Sequence, residues 1–194
     1  ISQSGETADR LAALRLSKEK GVPGLGIVNV VGSSIARESD YVLYTYAGPE
    51  IAVATTKAYS TQLIVSYLLA VQAGYVQGVI TEEQYAMYQK ELETLPDKIQ
   101  KVLDDKERIQ WFASKYANAK DVFFIGRGLD YAICLEGSLK MKEVSYIHSE
   151  AYAAGELKHG TISLIEDGTL VVGVLTQSRR FEKPVSNLLE VGSR

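Results

Sequence analysis

The chain has 194 residues, 46% of them hydrophobic, and a formal net charge of −3. That is enough apolar material for a sizeable core, in one large domain or two small ones, and the slight acidic excess excludes a surface built to neutralise a nucleic-acid backbone or an anionic membrane. A single cysteine, Cys134, excludes an internal disulfide, and its apolar neighbours Ala132, Ile133 and Leu135 predict a buried structural thiol and a reducing, cytoplasmic setting.

The chain opens at Ile1, on what reads as a strand end running into a helix, and is expected to be a fragment of a longer protein. From Thr7 to Lys20 the apolar residues fall mostly on one helical face, and Gly21 with Pro23 supplies the stop. Leu25 to Val30 is apolar apart from Asn29, and reads as a parallel strand buried on both faces. Tyr41 to Thr45 predicts a second strand. Glu50 to Gly74 reads as a long, mostly apolar helix that belongs in a core or an interface. Even its most apolar part, Leu63 to Val71, is interrupted by Ser66 and falls well short of the ~18 residues that a membrane span requires.

From Thr81 to about Tyr116 the sequence turns polar, keeps helical spacing and carries Pro96 as a break, so it reads as a helical connector. Asp121 to Ile125 is the next buried strand. It runs into Gly126-Arg127-Gly128 and then a helical pattern from Tyr131 to Ile147. Leu170 to Leu175 predicts one more strand, followed by Ser178 and a polar helix from about Phe181 to Glu190. Strand and helix alternate, which predicts an α/β fold with parallel sheets flanked by helices, flavodoxin-like or Rossmann-like. The expected division is residues 1–80, a connector at 81–117, and residues 118–194, the two α/β parts being a possible divergent duplication.

Three stretches carry candidate chemistry. Ser2-Gln3-Ser4-Gly5-Glu6-Thr7 puts three hydroxyls and an amide at a helix start, where unpaired N–H groups and the helix dipole favour an anion. Simple N-capping is the alternative, although three hydroxyls in six residues exceed what a cap needs. Gly126-Arg127-Gly128 lacks the third glycine of a dinucleotide fingerprint and is adequately explained as a tight turn, so no nucleotide cofactor is expected.

Helical spacing sets Glu136, Lys140 and Glu143 on one side of their helix, three and four residues apart, and turns Lys142 elsewhere. A solvated salt-bridge ladder would explain this. Ala132, Leu135, Leu139, Val144 and Ile147, however, are expected to leave little of that helix as an outer face, and a half-buried carboxylate beside a lysine can serve as a general base. His159, between Lys158 and Gly160, is expected in a loop where an imidazole can transfer protons near neutral pH. His148 reads as a packed or surface residue. No spacing suggests a metal site.

These residues also carry a resemblance. Ser2 to Thr7, Ser33-Ser34-Ile35-Ala36-Arg37-Glu38-Ser39-Asp40, Ala54-Thr55-Thr56-Lys57-Ala58-Tyr59 and the stretch from Gly126 to Gly160 all resemble the isomerase half of the glutamine-fructose-6-phosphate amidotransferase family. The run from Ser145 to Gly160 is the most specific part. The first motif is shared more widely among sugar-isomerase (SIS) domains.

The resemblance implies two SIS domains in tandem, both truncated here, with fructose 6-phosphate held in the first and converted to glucosamine 6-phosphate. It implies that Ser2, Gln3, Ser4 and Thr7 hold the phosphate and that Val53 lies near the sugar. Glu143 would be the base that moves a proton between the first two carbons, Lys140 would assist at the sugar oxygens, and His159 would open the ring. It further implies a homodimer with a shared active site, His159 reaching the neighbouring subunit. The family's ammonia-producing glutaminase domain and its C-terminal Schiff-base lysine lie outside this chain, and the isolated chain is expected not to turn over. Thr161 and Ala132 stand where the family commonly has proline, which bears on loop rigidity near His159. A sugar-phosphate sensor built on the same domain would keep the hydroxyl-rich loop without needing Glu143 and His159. A related deglycase or ketose isomerase would differ in having no glutaminase domain.

Overall fold

A computed structural model describes residues 1–177 and 182–192. The chain divides into two compact units, Ile1–Asp104 and Asp105–Arg194. The first contains α1 (Ala8–Glu19), β1 (Leu25–Val28), α2 (Ser34–Glu38), β2 (Tyr41–Tyr44), α3 (Thr56–Val76), α4 (Glu82–Glu93) and α5 (Leu95–Asp104). The second contains α6 (Lys106–Lys115), β3 (Asp121–Gly126), α7 (Leu129–Ser145), β4 (His148–Ala153), β5 (Leu170–Gly173) and α8 (Glu182–Val191), with 3-10 turns at Leu157–His159 and Thr161–Leu164. The polar region expected as a connector thus forms α4, α5 and α6. Pro96 sits in the first turn of α5, where its missing N–H costs nothing.

In the first unit β1 and β2 pair in parallel, Leu25 opposite Tyr41 and Val28 opposite Tyr44, and Ser2 bridges in parallel to Val28 on the other side. Val28, Ile35 and Ala36 form the buried core, with Leu11, Leu14, Val42 and Tyr44 packed on it. In the second unit β3 lies between β4 and β5, all parallel. Because successive strand residues face opposite ways, β3 feeds two cores. Phe123 and Ile125 meet Leu157, Ile165 and Val191 on one face. Val122 and Phe124 meet Cys134 on the other. A central parallel strand covered on both faces needs an unbroken apolar run, and that is what Val122 to Ile125 supplies.

The parallel α/β architecture is the expected one, with specific differences in extent. α3 begins at Thr56, not Glu50, leaving residues 50–55 as loop. Of its side chains only Ala58 is buried, and Tyr67, Leu68 and Leu69 are exposed in this chain. β4 is a strand that the sequence does not announce, since His-Ser-Glu-Ala-Tyr-Ala has little β-branched content. It forms because the edge of β3 offers it a full ladder, Asp121 opposite His148 through Gly126 opposite Ala153. The expected Ser178 and the expected helix start at Phe181 lie outside the described residues.

Candidate functional site

The first unit carries the hydroxyl-rich loop. Ser2 is anchored as a strand extension, its N–H donating to Ile27 O at 2.9 Å, and its hydroxyl accepts from Gly5 N at 3.1 Å. This folds residues 2–5 into a tight turn. Ser4 Oγ accepts from Glu6 N at 3.3 Å, and the Ser2 and Thr7 hydroxyls lie 3.4 Å apart.

Gly5 has φ +68°, and a β-carbon there would lie 2.0 Å from Ser33 Oγ, so both conformation and space demand glycine. Its carbonyl accepts from Ile35 N at 2.9 Å, which ties the turn to α2. The Glu6 carboxylate accepts from Ser34 N at 2.8 Å and is held below the usual carboxylate range by its hydrogen bonds from Ser34.

Thr7 is the N-cap residue of α1, with extended backbone, yet its side chain makes no capping hydrogen bond. The first amide bonded within the helix is that of Leu11, to Thr7 O at 3.0 Å. The first-turn N–H groups are thus left without a bond from the Thr7 side chain. An anion could take those donors, and the hydroxyls could supply others.

Val53, the other expected sugar neighbour in this unit, is 91% exposed on the loop between β2 and α3. Thr55, at the end of that loop, takes a left-handed conformation at φ 54° and donates its hydroxyl to Val53 O at 2.9 Å. Sequence reasoning also missed Asn29. Its side chain binds three backbone or hydroxyl groups of residues 45–48, and an asparagine directly after a strand gives no sign of that.

The second unit carries the acid–base cluster. Gly126 lets β3 turn into α7, because a β-carbon there would lie 2.6 Å from the Asp130 backbone. Gly128 then adopts φ 60° and ψ −122° at the helix start. This gives the Gly-Arg-Gly turn a structural role.

On α7, Lys140 Nζ lies 2.5 Å from Glu143 Oε2 and 3.5 Å from Glu136 Oε1, so the expected three-residue side exists. All three side chains are half-buried, at 24%, 23% and 29% exposure in sequence order. Burial opposes the charge of Lys140, but the hydrogen bond to Glu143 and the two carboxylate charges outweigh it, and its pKa is raised.

One expected reason for that burial is corrected. Leu135, Leu139 and Val144 are 50%, 42% and 65% exposed, so they do not shut the helix in. α7 instead lies against the sheet along Cys134, Gly137 and Ser138, small residues that permit close approach, with Gly137 placed against Phe124 and Met141 packed on the same core. Cys134 is fully buried and burial pushes its thiol up, as expected for an inert cysteine.

His159 is exposed and ends the 3-10 turn Leu157–His159, just before Gly160 at φ +139°. His148 is a surface residue, its Nδ1 2.7 Å from Asp121 Oδ1. Among the described residues no three His, Cys, Asp or Glu side chains come together as metal ligands, and no helix is long and apolar enough to cross a membrane.

Set beside known proteins, the chain matches the SIS domain profile over residues 1–72 and 115–193. The chain belongs to the SIS domain family. Across its whole length this SIS chain is 60% identical to the glutamine–fructose-6-phosphate aminotransferase [isomerizing] of Caldanaerobacter subterraneus subsp. tengcongensis and 58% identical to that of Clostridium tetani. It spans 32% of the length of each. The solved C-terminal domain of glucosamine-fructose-6-phosphate aminotransferase from Francisella tularensis matches all of this chain, and 55% of its own, at 42% identity with a TM-score of 0.96.

Proposed function

We propose that this SIS chain is the sugar-phosphate isomerase portion of a glutamine-fructose-6-phosphate aminotransferase, acting on fructose 6-phosphate to give glucosamine 6-phosphate. Identity of 60% to part of such an enzyme, over the whole of this chain, carries the reading, and the chemistry of both units supports it. In the first, Ser2, Gln3, Ser4 and Thr7 hold the phosphate at the uncapped start of α1, neutral donors around an anion. Val53, an apolar side chain left almost wholly exposed, faces the sugar.

In the second unit Glu143 takes a proton from one sugar carbon and returns it to the next on the same face. Lys140, kept cationic by its two carboxylates, stabilises negative charge on the sugar oxygens. His159, exposed on its turn, opens the ring for a neighbouring subunit in a homodimer. Ammonia would come from a glutaminase domain of the parent chain, in a cytoplasmic setting that the single buried cysteine suits.

Making Glu143→Gln in the full-length parent tests this. The expected result is fructose 6-phosphate binding within threefold of the unaltered enzyme, with glucosamine 6-phosphate formation reduced by about 10²- to 10⁴-fold. Formation at an undiminished rate would overturn the assignment of Glu143. A sensor, by contrast, would form no glucosamine 6-phosphate with or without Glu143.

A further inference from the structure

Asn29 stands directly after β1 and touches both loops assigned to the sugar phosphate. Its backbone N–H donates to Gln3 O at 3.2 Å, inside the hydroxyl-rich turn. Its side chain reaches the other way. Oδ1 accepts from Thr45 Oγ1 at 3.0 Å and from Ala47 N at 2.9 Å, and Nδ2 donates to Gly48 O at 2.8 Å. Two acceptor sites and one donor of a single amide are thereby used on three residues of one four-residue stretch, a pattern that neither aspartate nor leucine could reproduce.

Tyr46 has φ 50° and Gly48 φ 71°, left-handed backbone that a tyrosine adopts only at a steric cost. Apart from a tilted ring contact with Tyr44, Tyr46 is 79% exposed, so packing offsets little of that cost. The far end of the same loop is tied by Glu50 Oε2, which accepts from Ala58 N at 3.1 Å in the first turn of α3. Between the two ties, Ile51 and Val53 project 92% and 91% exposed.

We infer that Asn29 is a positioning residue that sets the 45–55 loop, and with it Val53, at a fixed place relative to the Ser2–Thr7 phosphate turn, so that the first unit selects a sugar phosphate over phosphate alone. The inference rests on the sugar-phosphate reading of these two loops. It adds a division of labour: the hydroxyl turn grips the anion without Asn29, and the sugar contribution depends on it.

The test titrates the 194-residue chain, Asn29→Ala and Thr45→Val with inorganic phosphate and with fructose 6-phosphate, and follows hydrogen exchange of the Ala47 amide. The expected result is a phosphate affinity changed by less than about twofold in both variants. Fructose 6-phosphate should bind about tenfold more weakly in Asn29→Ala and about threefold more weakly in Thr45→Val, the scale of lost neutral hydrogen bonds. Ala47 exchange should accelerate in Asn29→Ala. If Asn29→Ala fails to fold, Thr45→Val decides alone. Equal weakening of both ligands, or no change in either, overturns the positioning role and leaves the sugar-phosphate reading standing. An unaltered chain that binds neither ligand overturns that reading and the inference together.

Discussion

Gly5 and Ser33 touch so closely that a β-carbon on residue 5 would lie 2.0 Å from the Ser33 hydroxyl. This contact fixes the turn from Ser2 to Thr7 against the start of α2. Gly5→Ala must therefore bear a left-handed conformation and displace a buried side chain at once. It should destabilise the first unit by about 2–4 kcal/mol, read by chemical denaturation. A loss below 0.5 kcal/mol would mean that the turn yields without resistance.

Thr7 separates capping from ligand binding. An N-cap threonine that bonds its helix loses about 1 kcal/mol on replacement by alanine. Because Thr7 makes no such bond and only a 3.4 Å hydroxyl contact with Ser2, Thr7→Ala should leave the denaturation midpoint nearly unchanged while weakening fructose 6-phosphate binding about tenfold or more, the scale of one hydrogen bond to a charged group. The opposite pattern, a lower midpoint with unaltered affinity, would assign the hydroxyl to the helix alone.

The Lys140 pair makes a statement about pH. A lysine whose folded pKa is raised contributes stability that is complete below its ordinary value of about 10.4 and is lost as pH rises through the higher folded value. Glu143→Gln should lower the Lys140 pKa, seen in the titration of its Cε resonance, and should remove part of this alkaline stability. An unmoved titration would show that Glu136 alone sustains the charge.

Asp130 makes the opposite one. It is 2% exposed, and its carboxylate accepts from Thr176 N at 3.1 Å and Thr176 Oγ1 at 2.5 Å. Burial pushes its carboxyl up, but the hydrogen bonds from Thr176 and Gln177 prevail and hold it below its ordinary range. Its contribution is thus present above about pH 3.9 and is lost as pH falls through the lower folded value. Asp130→Ala should cost the second unit about 2–3 kcal/mol at neutral pH and flatten its acid limb, measured by urea unfolding across pH 2–7.

How much of this was legible in the sequence differs by element. β3 and the helix of Glu136, Lys140 and Glu143 could be read because one periodicity governs each, continuous burial in the first case and helical spacing in the second. β4 could not, because its strand state comes from the open edge of β3 and not from its own composition. The hydroxyl turn was visible as residue types, but that Thr7 leaves its helix uncapped is a matter of side-chain direction. Asn29 and Asp130 were hidden for a related reason, since their partners lie 16 or more residues away in the chain. The exposure of Leu135, Leu139 and Val144 was misjudged because the seam between α7 and the sheet is formed by other residues, the small Cys134 and Gly137 together with Met141.

Under the proposed function a sugar phosphate is gripped where α1 begins. Amide chemical-shift mapping of the 194-residue chain during titration with fructose 6-phosphate, and in parallel with fructose, tests it most directly. Saturable shifts at Ser4, Gly5, Glu6, Ala8 and Asp9 are expected with the phosphate ester and none with the free sugar. Shifts absent from residues 2–10 at saturating ester, or equal for the two sugars, would contradict it.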